Sequence, residues 1–170
     1  MLENIKLFAT DNNRLSYEDS GNYVEPYVSL VEGDNSVHYN KPKFFCKLTL
    51  NDDSVIELEG SGQLTTVMIN PYRSTVVSAK IGTLCTSINT GVFGNCSEIT
   101  EVIIGNAVAT INSMLFYGCS SLTSVTVEAT TPPILNGPIF NVAPPIIYVP
   151  AESVNAYKTA NGWSDYASYI

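Results

Sequence analysis

Ile88-Asn89-Thr90-Gly91-Val92-Phe93-Gly94-Asn95-Cys96-Ser97-Glu98-Ile99-Thr100-Glu101-Val102-Ile103-Ile104 is answered further on by Ile111-Asn112-Ser113-Met114-Leu115-Phe116-Tyr117-Gly118-Cys119-Ser120-Ser121-Leu122-Thr123-Ser124-Val125-Thr126-Val127. Ile88 maps to Ile111, Phe93 to Phe116, Cys96 to Cys119, Ile99 to Leu122, Val102 to Val125 and Ile104 to Val127, always at an offset of 23 residues without a gap. These twelve residues are the expected repeat core. A fixed period in the twenties predicts a solenoid in which each coil holds a short strand and a short helical or 3₁₀ turn. One such coil cannot bury its apolar edge alone, so coils must stack.

Outward from this pair the period persists. Ala79-Lys80-Ile81-Gly82 aligns with Val102-Ile103-Ile104-Gly105, and Ile147-Tyr148-Val149 follows Val125-Thr126-Val127, with Ile134 and Phe140 filling the coil between. Strands are therefore expected at 79–81, 102–104, 125–127 and 147–149. Ile56-Glu57-Leu58 falls one period before Ala79, but its coil is poor: Phe93 would map back to Asn70 and Cys96 to Arg73.

The run of Ile, Phe-x-x-Cys and Leu-Thr-x-Val-x-Val resembles the BspA-type leucine-rich repeat. The tail, Ile147-Tyr148-Val149-Pro150 with Ser153-Val154, Ala156-Tyr157-Lys158, Trp163-Ser164 and Tyr166, is similar to the terminal segment that closes many such arrays. The resemblance spans roughly residues 78–170 and implies a mainly β chain, a short leucine-rich-repeat solenoid with coils of about 23 residues. It implies adhesion or display, as on surface proteins of gut and oral bacteria and of their phages, and brings no catalytic residues with it.

Composition sets further bounds. The 170 residues are 45% hydrophobic and 14% charged, enough for a sizeable core, and the net charge is −8. Eight scattered basic residues are a poor match for a phosphate backbone, so nucleic acid is not an expected partner. No apolar run reaches the length of a membrane span. Met1-Leu2-Glu3-Asn4-Ile5-Lys6 has neither the basic nor the apolar part of an export signal, which favours a virion protein over a secreted one. The four cysteines lack zinc-ligand spacing. Cys96 and Cys119 should lie one above the other, close enough for a bridge, but free thiols in a tight apolar ladder are the reading taken. Cys46 and Cys85 have no evident partners in the sequence.

Four segments follow in chain order. Residues 1–43 are irregular in pattern, an anchoring or extended segment: an apolar cluster of Leu2, Ile5, Leu7 and Phe8, a solvated turn over Asp11–Glu18, an extended Tyr23–Val31 interrupted by Pro26, and a turn at Glu32–Ser36. This part either anchors the chain to a larger assembly or caps the solenoid. Residues 44–74 hold a β-hairpin cap and a transition. There Cys46, Leu48, Ile56 and Leu58 alternate with Lys47, Glu57 and Glu59, and a three-residue loop opposes Leu48 to Ile56 and Lys47 to Glu57, whereas a two-residue loop would oppose Leu48 to Glu57. Residues 75–150 are the solenoid, with a proline-rich, atypical last coil. Residues 151–170 are a C-terminal helical cap in which Val154, Tyr157 and Ala160 fall at helical spacing, Asn161-Gly162 ends the helix, and Trp163 and Tyr166 plug the stack.

Catalytic chemistry has little to stand on. His38 is the single histidine, Asp52-Asp53 sit in a turn, Glu57 and Glu59 face solvent, and Gly60-Ser61-Gly62 is no phosphate loop. No catalytic residue, metal site or cofactor is expected. The candidate binding residues are those that point outward from the strands: Lys80, Ile103, Thr126 and Tyr148 in one column, and beside it Ser78, Glu101, Ser124 and Ile146. Of these, Lys80, Glu101, Ile103, Thr126 and Tyr148 are taken as the binding set. Apolar outward positions suit an interface, and ordinary strand preference explains them too.

The expectation is a non-enzymatic structural or adhesion protein. It would be a phage virion component such as a head decoration, fibre or tail-associated subunit at the virion surface, in many copies or as a homo-oligomer. It would dock on virion proteins through its N-terminal part and offer the solenoid to a host-surface protein or glycan. The alternatives are a secreted or cell-surface bacterial adhesin and, in another class, a small glycan-active enzyme.

Overall fold

The computed structural model describes residues 43–170 and, before them, 8–9, 15–19, 22–24, 28–29 and 38–39. Two compact units divide the chain, Met1–Lys43 and Phe44–Ile170. The first has more order than its sequence pattern suggests. Strands β1 (Phe8–Ala9), β2 (Leu15–Asp19) and β3 (Asn22–Val24) form an antiparallel sheet, and β4 (Val28–Ser29) pairs with β5 (His38–Tyr39). Leu15–Glu18, expected in a solvated turn, lies in a strand, since Leu15 and Tyr17 alternating with Ser16 and Glu18 have strand period. The rest of that expected turn, the cluster of Leu2, Ile5 and Leu7, and the Glu32–Ser36 turn lie outside the described residues.

The second unit is the solenoid, with two sheets. The main sheet runs β15-β13-β11-β9-β6-β7: β6 (Cys46–Leu50), β7 (Val55–Leu58), β9 (Val76–Ile81), β11 (Glu101–Ile104), β13 (Ser124–Val127) and β15 (Ile146–Tyr148). Across the coils the strands pair in parallel, Val102 beside Ala79 and Val125, and Val125 beside Ile147. The hairpin adopts the register that a three-residue loop demands, Cys46 opposite Leu58, Lys47 opposite Glu57 and Leu48 opposite Ile56. Its seat differs from the periodic expectation. The strand beside β9 is β6, antiparallel, and Val55–Leu58 is the outer edge rather than a fifth parallel coil strand.

Each coil also carries a second strand, which the repeat core alone did not reveal. β8 (Gly62–Leu64), β10 (Cys85–Ile88), β12 (Thr110–Asn112) and β14 (Ile134–Asn136) stack in parallel as β14-β12-β10-β8. Residues 62–72, a transition by sequence, thus form the back of a first coil, closed by the short helix α1 (Thr66–Ile69) and a 3₁₀ turn at Asn70–Tyr72. In the regular coils the Phe-x-x-Cys segment is a chain of tight turns, Gly94 N–H to Gly91 O and Cys96 N–H to Phe93 O, not a helix.

Between the sheets lies one apolar core. Ile88, Phe93, Cys96, Ile99, Val102, Ile104, Ile111, Phe116, Cys119, Val125 and Val127 are buried, while Leu122 is only partly so. In the last coil the core residue is Leu135, in register with Ile111, and Ile134 points out and is 65% exposed. From Phe116 to Phe140 is 24 residues and from Val125 to Ile147 is 22, so this coil departs from the strict period in both directions. Rings pass the stack along: Phe93 to Phe116 at 6.1 Å, Phe116 to Phe140 at 5.3 Å, then Tyr166 edge-on at 5.3 Å. Side-chain ladders run beside them. Thr123 donates its hydroxyl to Thr100 O and Thr100 to Val77 O, and Asn136 donates to Asn112 Oδ1 and Asn112 to Ile88 O.

Both ends are closed by polar side chains as well as apolar ones. At the last coil, the cap built on α2 (Val154–Thr159) presents Trp163, whose Nε1 donates to Pro133 O at 2.7 Å, and Tyr157, whose hydroxyl donates to Ala129 O at 2.8 Å. Tyr166 Oη accepts from Ile139 N–H at 3.1 Å. At the first coil Arg73 reaches the carbonyls of Gly94 and Gly91, with its Nε on Asn70 Oδ1 at 2.9 Å. The two residues that made this coil look poor are therefore its cap.

Arg73→Met leaves two carbonyls without their charged donor and lowers unfolding free energy by about 2 kcal/mol in urea denaturation. Met114 holds φ 64, where Gly91, 23 residues earlier, holds φ 63. Left-handed backbone costs a side-chain-bearing residue about 1–2 kcal/mol, and glycine gives back part of that through chain entropy. Met114→Gly therefore raises stability by about 0.5–1 kcal/mol, and Gly91→Met lowers it, both read by the same denaturation.

Candidate interaction face

Strand alternation turns one side of the main sheet outward, and the register aligns its residues. Lys80, Ile103, Thr126 and Tyr148 stand in one column, with Ser78, Glu101, Ser124 and Ile146 in the next. Tyr148 and Ile146 are 54% and 55% exposed, Lys80 and Glu101 are exposed, and Ile103 and Thr126 are half-buried by their neighbours. All five residues of the expected binding set thus share one face, with Glu101 a column away from the other four.

The hairpin extends both columns beyond the residues picked from the repeat. Lys47 lies beside Lys80 with Glu57 next outward, and Thr49 lies beside Ser78 with Val55 outermost. Lys47 Nζ sits 2.5 Å from Glu57 Oε1 and 5.4 Å from the centre of the Phe44 ring, so that lysine is held in place. The opposition of Lys47 and Glu57 was legible from the loop length. Their adjacency to Lys80 was not, because nothing in the hairpin's own pattern says which strand it will join.

Charge is distributed unevenly along this face. Lys47 and Lys80 mark the hairpin end. From Ile81 to Tyr157 the sequence has no Lys, Arg or His, and its carboxylates, Glu98, Glu101, Glu128 and Glu152, are all exposed. The last coils therefore present negative charge alone.

The cysteines are packed into the core. Cys46, Cys85, Cys96 and Cys119 are free and buried. Burial pushes the Cys46 and Cys119 thiols up to about 12, with the neighbouring thiols Cys85 and Cys96 adding to the effect. Burial also raises Cys85 and Cys96, the latter against the pull of the Arg73 guanidinium. Such thiols stay protonated at neutral pH and do not attack. The segments that carry Cys46 and Cys85 are joined by backbone bonds, Gly82 N–H to Phe45 O and Leu84 N–H to Phe44 O, a proximity that their spacing in the chain conceals. Asp52 accepts from the Ser54 hydroxyl and N–H, which holds its carboxyl below the usual range and fastens the hairpin turn. Among the described residues no three His, Cys, Asp or Glu side chains gather as a metal site, and no helix is long and apolar enough to cross a membrane. His38 lies in β5.

Residues 72–141 match the family model described as BspA type leucine rich repeat region (6 copies), a stretch that holds β9 through β14. No curated protein matches the chain.

The buried thiols make stability fall in alkali. Above the ordinary thiol value of 9.0 the unfolded chain releases protons that the folded chain keeps up to about 12, so ionisation favours unfolding. Denaturation followed against pH should be flat through neutrality and decline from about pH 9 upward, and Cys119→Ala should make the decline shallower.

Proposed function

Because residues 72–141 make this chain a BspA-like leucine-rich repeat protein, we propose that it is a non-enzymatic structural or adhesion protein that binds through the outward face of its main sheet. The repeat family is non-enzymatic and its repeats serve protein interaction and adhesion. The observation that carries the reading is the contrast between the two sides of the strands. Inward positions are all small or branched apolar residues, Ala79, Val102, Val125 and Ile147, while the outward column changes chemistry at each step, Lys80, Ile103, Thr126, Tyr148. A rigid sheet whose exposed residues are free of packing duty is suited to recognition.

In its finer form the proposal makes the chain a phage virion component, a head decoration, fibre or tail-associated subunit. The unit Met1–Lys43 would attach to other virion proteins and the unit Phe44–Ile170 would be displayed towards a host-surface protein or glycan. The division of the chain into two compact units supports such a split of labour. A multi-copy assembly on the particle surface follows from the same reading, since many weak contacts add through avidity.

Light scattering on the full chain and on a chain starting at Phe44 tests the attachment. The full chain should assemble and the shorter one remain a folded monomer. If both are monomers, attachment through residues 1–43 is wrong. Density-gradient fractionation of an infected culture tests the setting: the protein should travel with particles, and recovery in the cell envelope without particles would make it a cell-surface adhesin instead.

A further inference from the structure

The outward columns carry their own internal comparison. In one, Ser78, Glu101 and Ser124 are polar, and the same position in the last coil is Ile146. In its neighbour the last coil has Tyr148, where the coil before it has Thr126. Single outward apolar residues occur in other strands, Val55 and Ile103, but both outward positions are apolar in β15 alone among these six strands, and strand preference, which would act on every coil alike, does not account for that. Ile146 and Tyr148 are both more than half exposed, and Ile103 lies two strands away in the Tyr148 column. This patch borders Glu101, within the stretch that has no cation between Lys80 and Lys158.

Size selects the occupant. Six strands spaced about 4.8 Å apart, each about four residues long, make a flat face of roughly 300–400 Å². A stable dimer needs about 800 Å² from each partner, so this face alone does not hold a second copy. It does suit one extended or helical segment. The charge that such a segment must bring to the last three strands is positive, because the ionised side chain among their outward residues is the carboxylate of Glu101, while Lys80 lies on the hairpin side of Ile103. Tyr148 is one of the residue types enriched as anchors of such contacts, and Pro144, Pro145 and Pro150 stiffen the chain on either side of it.

Resting on the reading of the main sheet as the binding face, we infer that recognition is concentrated in its last coil, where Ile146 and Tyr148, bordered by Glu101, take a basic and partly apolar segment of a partner protein. The segment lays its apolar side chains on Ile146, Tyr148 and Ile103 and directs a Lys or Arg to Glu101. Because the footprint is small, a single contact is weak, and useful strength comes from many copies.

The full chain, immobilised and panned with a random peptide library, provides the test, with enriched peptides then measured in solution by fluorescence anisotropy. Enriched sequences should combine Lys or Arg with Ile, Leu or aromatic residues, and their binding should weaken with salt. Tyr148→Ser should reduce affinity about tenfold, the loss expected of an anchor residue, and Glu101→Lys should shift the enriched set towards acidic peptides. Ile134→Ser, on the opposite sheet, should change nothing. A failure to enrich, an acidic or neutral consensus, or indifference to Tyr148→Ser overturns the inference. Thr126→Arg separates its failure from that of the face. If this substitution in mid-face abolishes binding and Tyr148→Ser does not, the face binds elsewhere than at its last coil. If neither matters, the face is not the binding surface.

Discussion

Every backbone group in a buried coil needs a partner, and a solenoid supplies it from the next coil. Asn95 N–H gives to Tyr117 O, Phe116 N–H to Ile139 O, Thr123 N–H to Thr100 O, and so through the stack. The arrangement solves the problem for interior coils and moves it to the ends, where there is no next coil. This protein closes its ends with side chains that combine apolar bulk and a polar tip: Tyr157, Trp163 and Tyr166 at the last coil and Arg73 at the first. Tyr166 serves twice, ending the ring stack of Phe93, Phe116 and Phe140 edge-on and accepting the N–H of Ile139. The hairpin closes the remaining sheet flank, with the paired Lys47 and Glu57 on its outer side.

That division of labour frees the outward face. The inward columns are bound to the core and tolerate little change, whereas the side chains of Lys80, Glu101, Ile103, Thr126 and Tyr148 make no hydrogen bond among the described residues, their backbones alone joining the sheet. Their chemistry can therefore vary coil by coil without disturbing the stack. The same logic accounts for the silent cysteines. Cys119 donates to Phe93 O at 3.0 Å and fills a narrow space, so its sulfur serves packing rather than reactivity.

The last coil is where regularity gives way. It lacks the Cys of the two before it, lengthens between Phe116 and Phe140 and shortens before Ile147. Its core position is taken by Leu135, which leaves Ile134 outside. A terminal coil has a cap on one side instead of a neighbour, so it must meet a different surface, and proline substitutes for hydrogen bonds it has no partner to make.

By itself the sequence determined whatever depends on spacing along the chain. The 23-residue offset, the inward and outward parity of each strand, the three-residue hairpin loop and the aromatic plug at the C-terminus were all legible, because each repeats or alternates within a short window. Only the tertiary structure decided what depends on a distant neighbour. It placed β6 rather than Val55–Leu58 beside β9, and built a second sheet from strands of three or four residues, too short for a clear alternation. It left Leu122 partly exposed where Ile99 is buried, and brought Cys46 near Cys85. Arg73 is the plainest case. As a letter in a repeat it is a mismatch to Cys96, and its role becomes visible only when the carbonyls of Gly94 and Gly91 are seen to lie within its reach. Periodicity is a local property of the chain, whereas the satisfaction of an orphaned polar group is a property of the folded end.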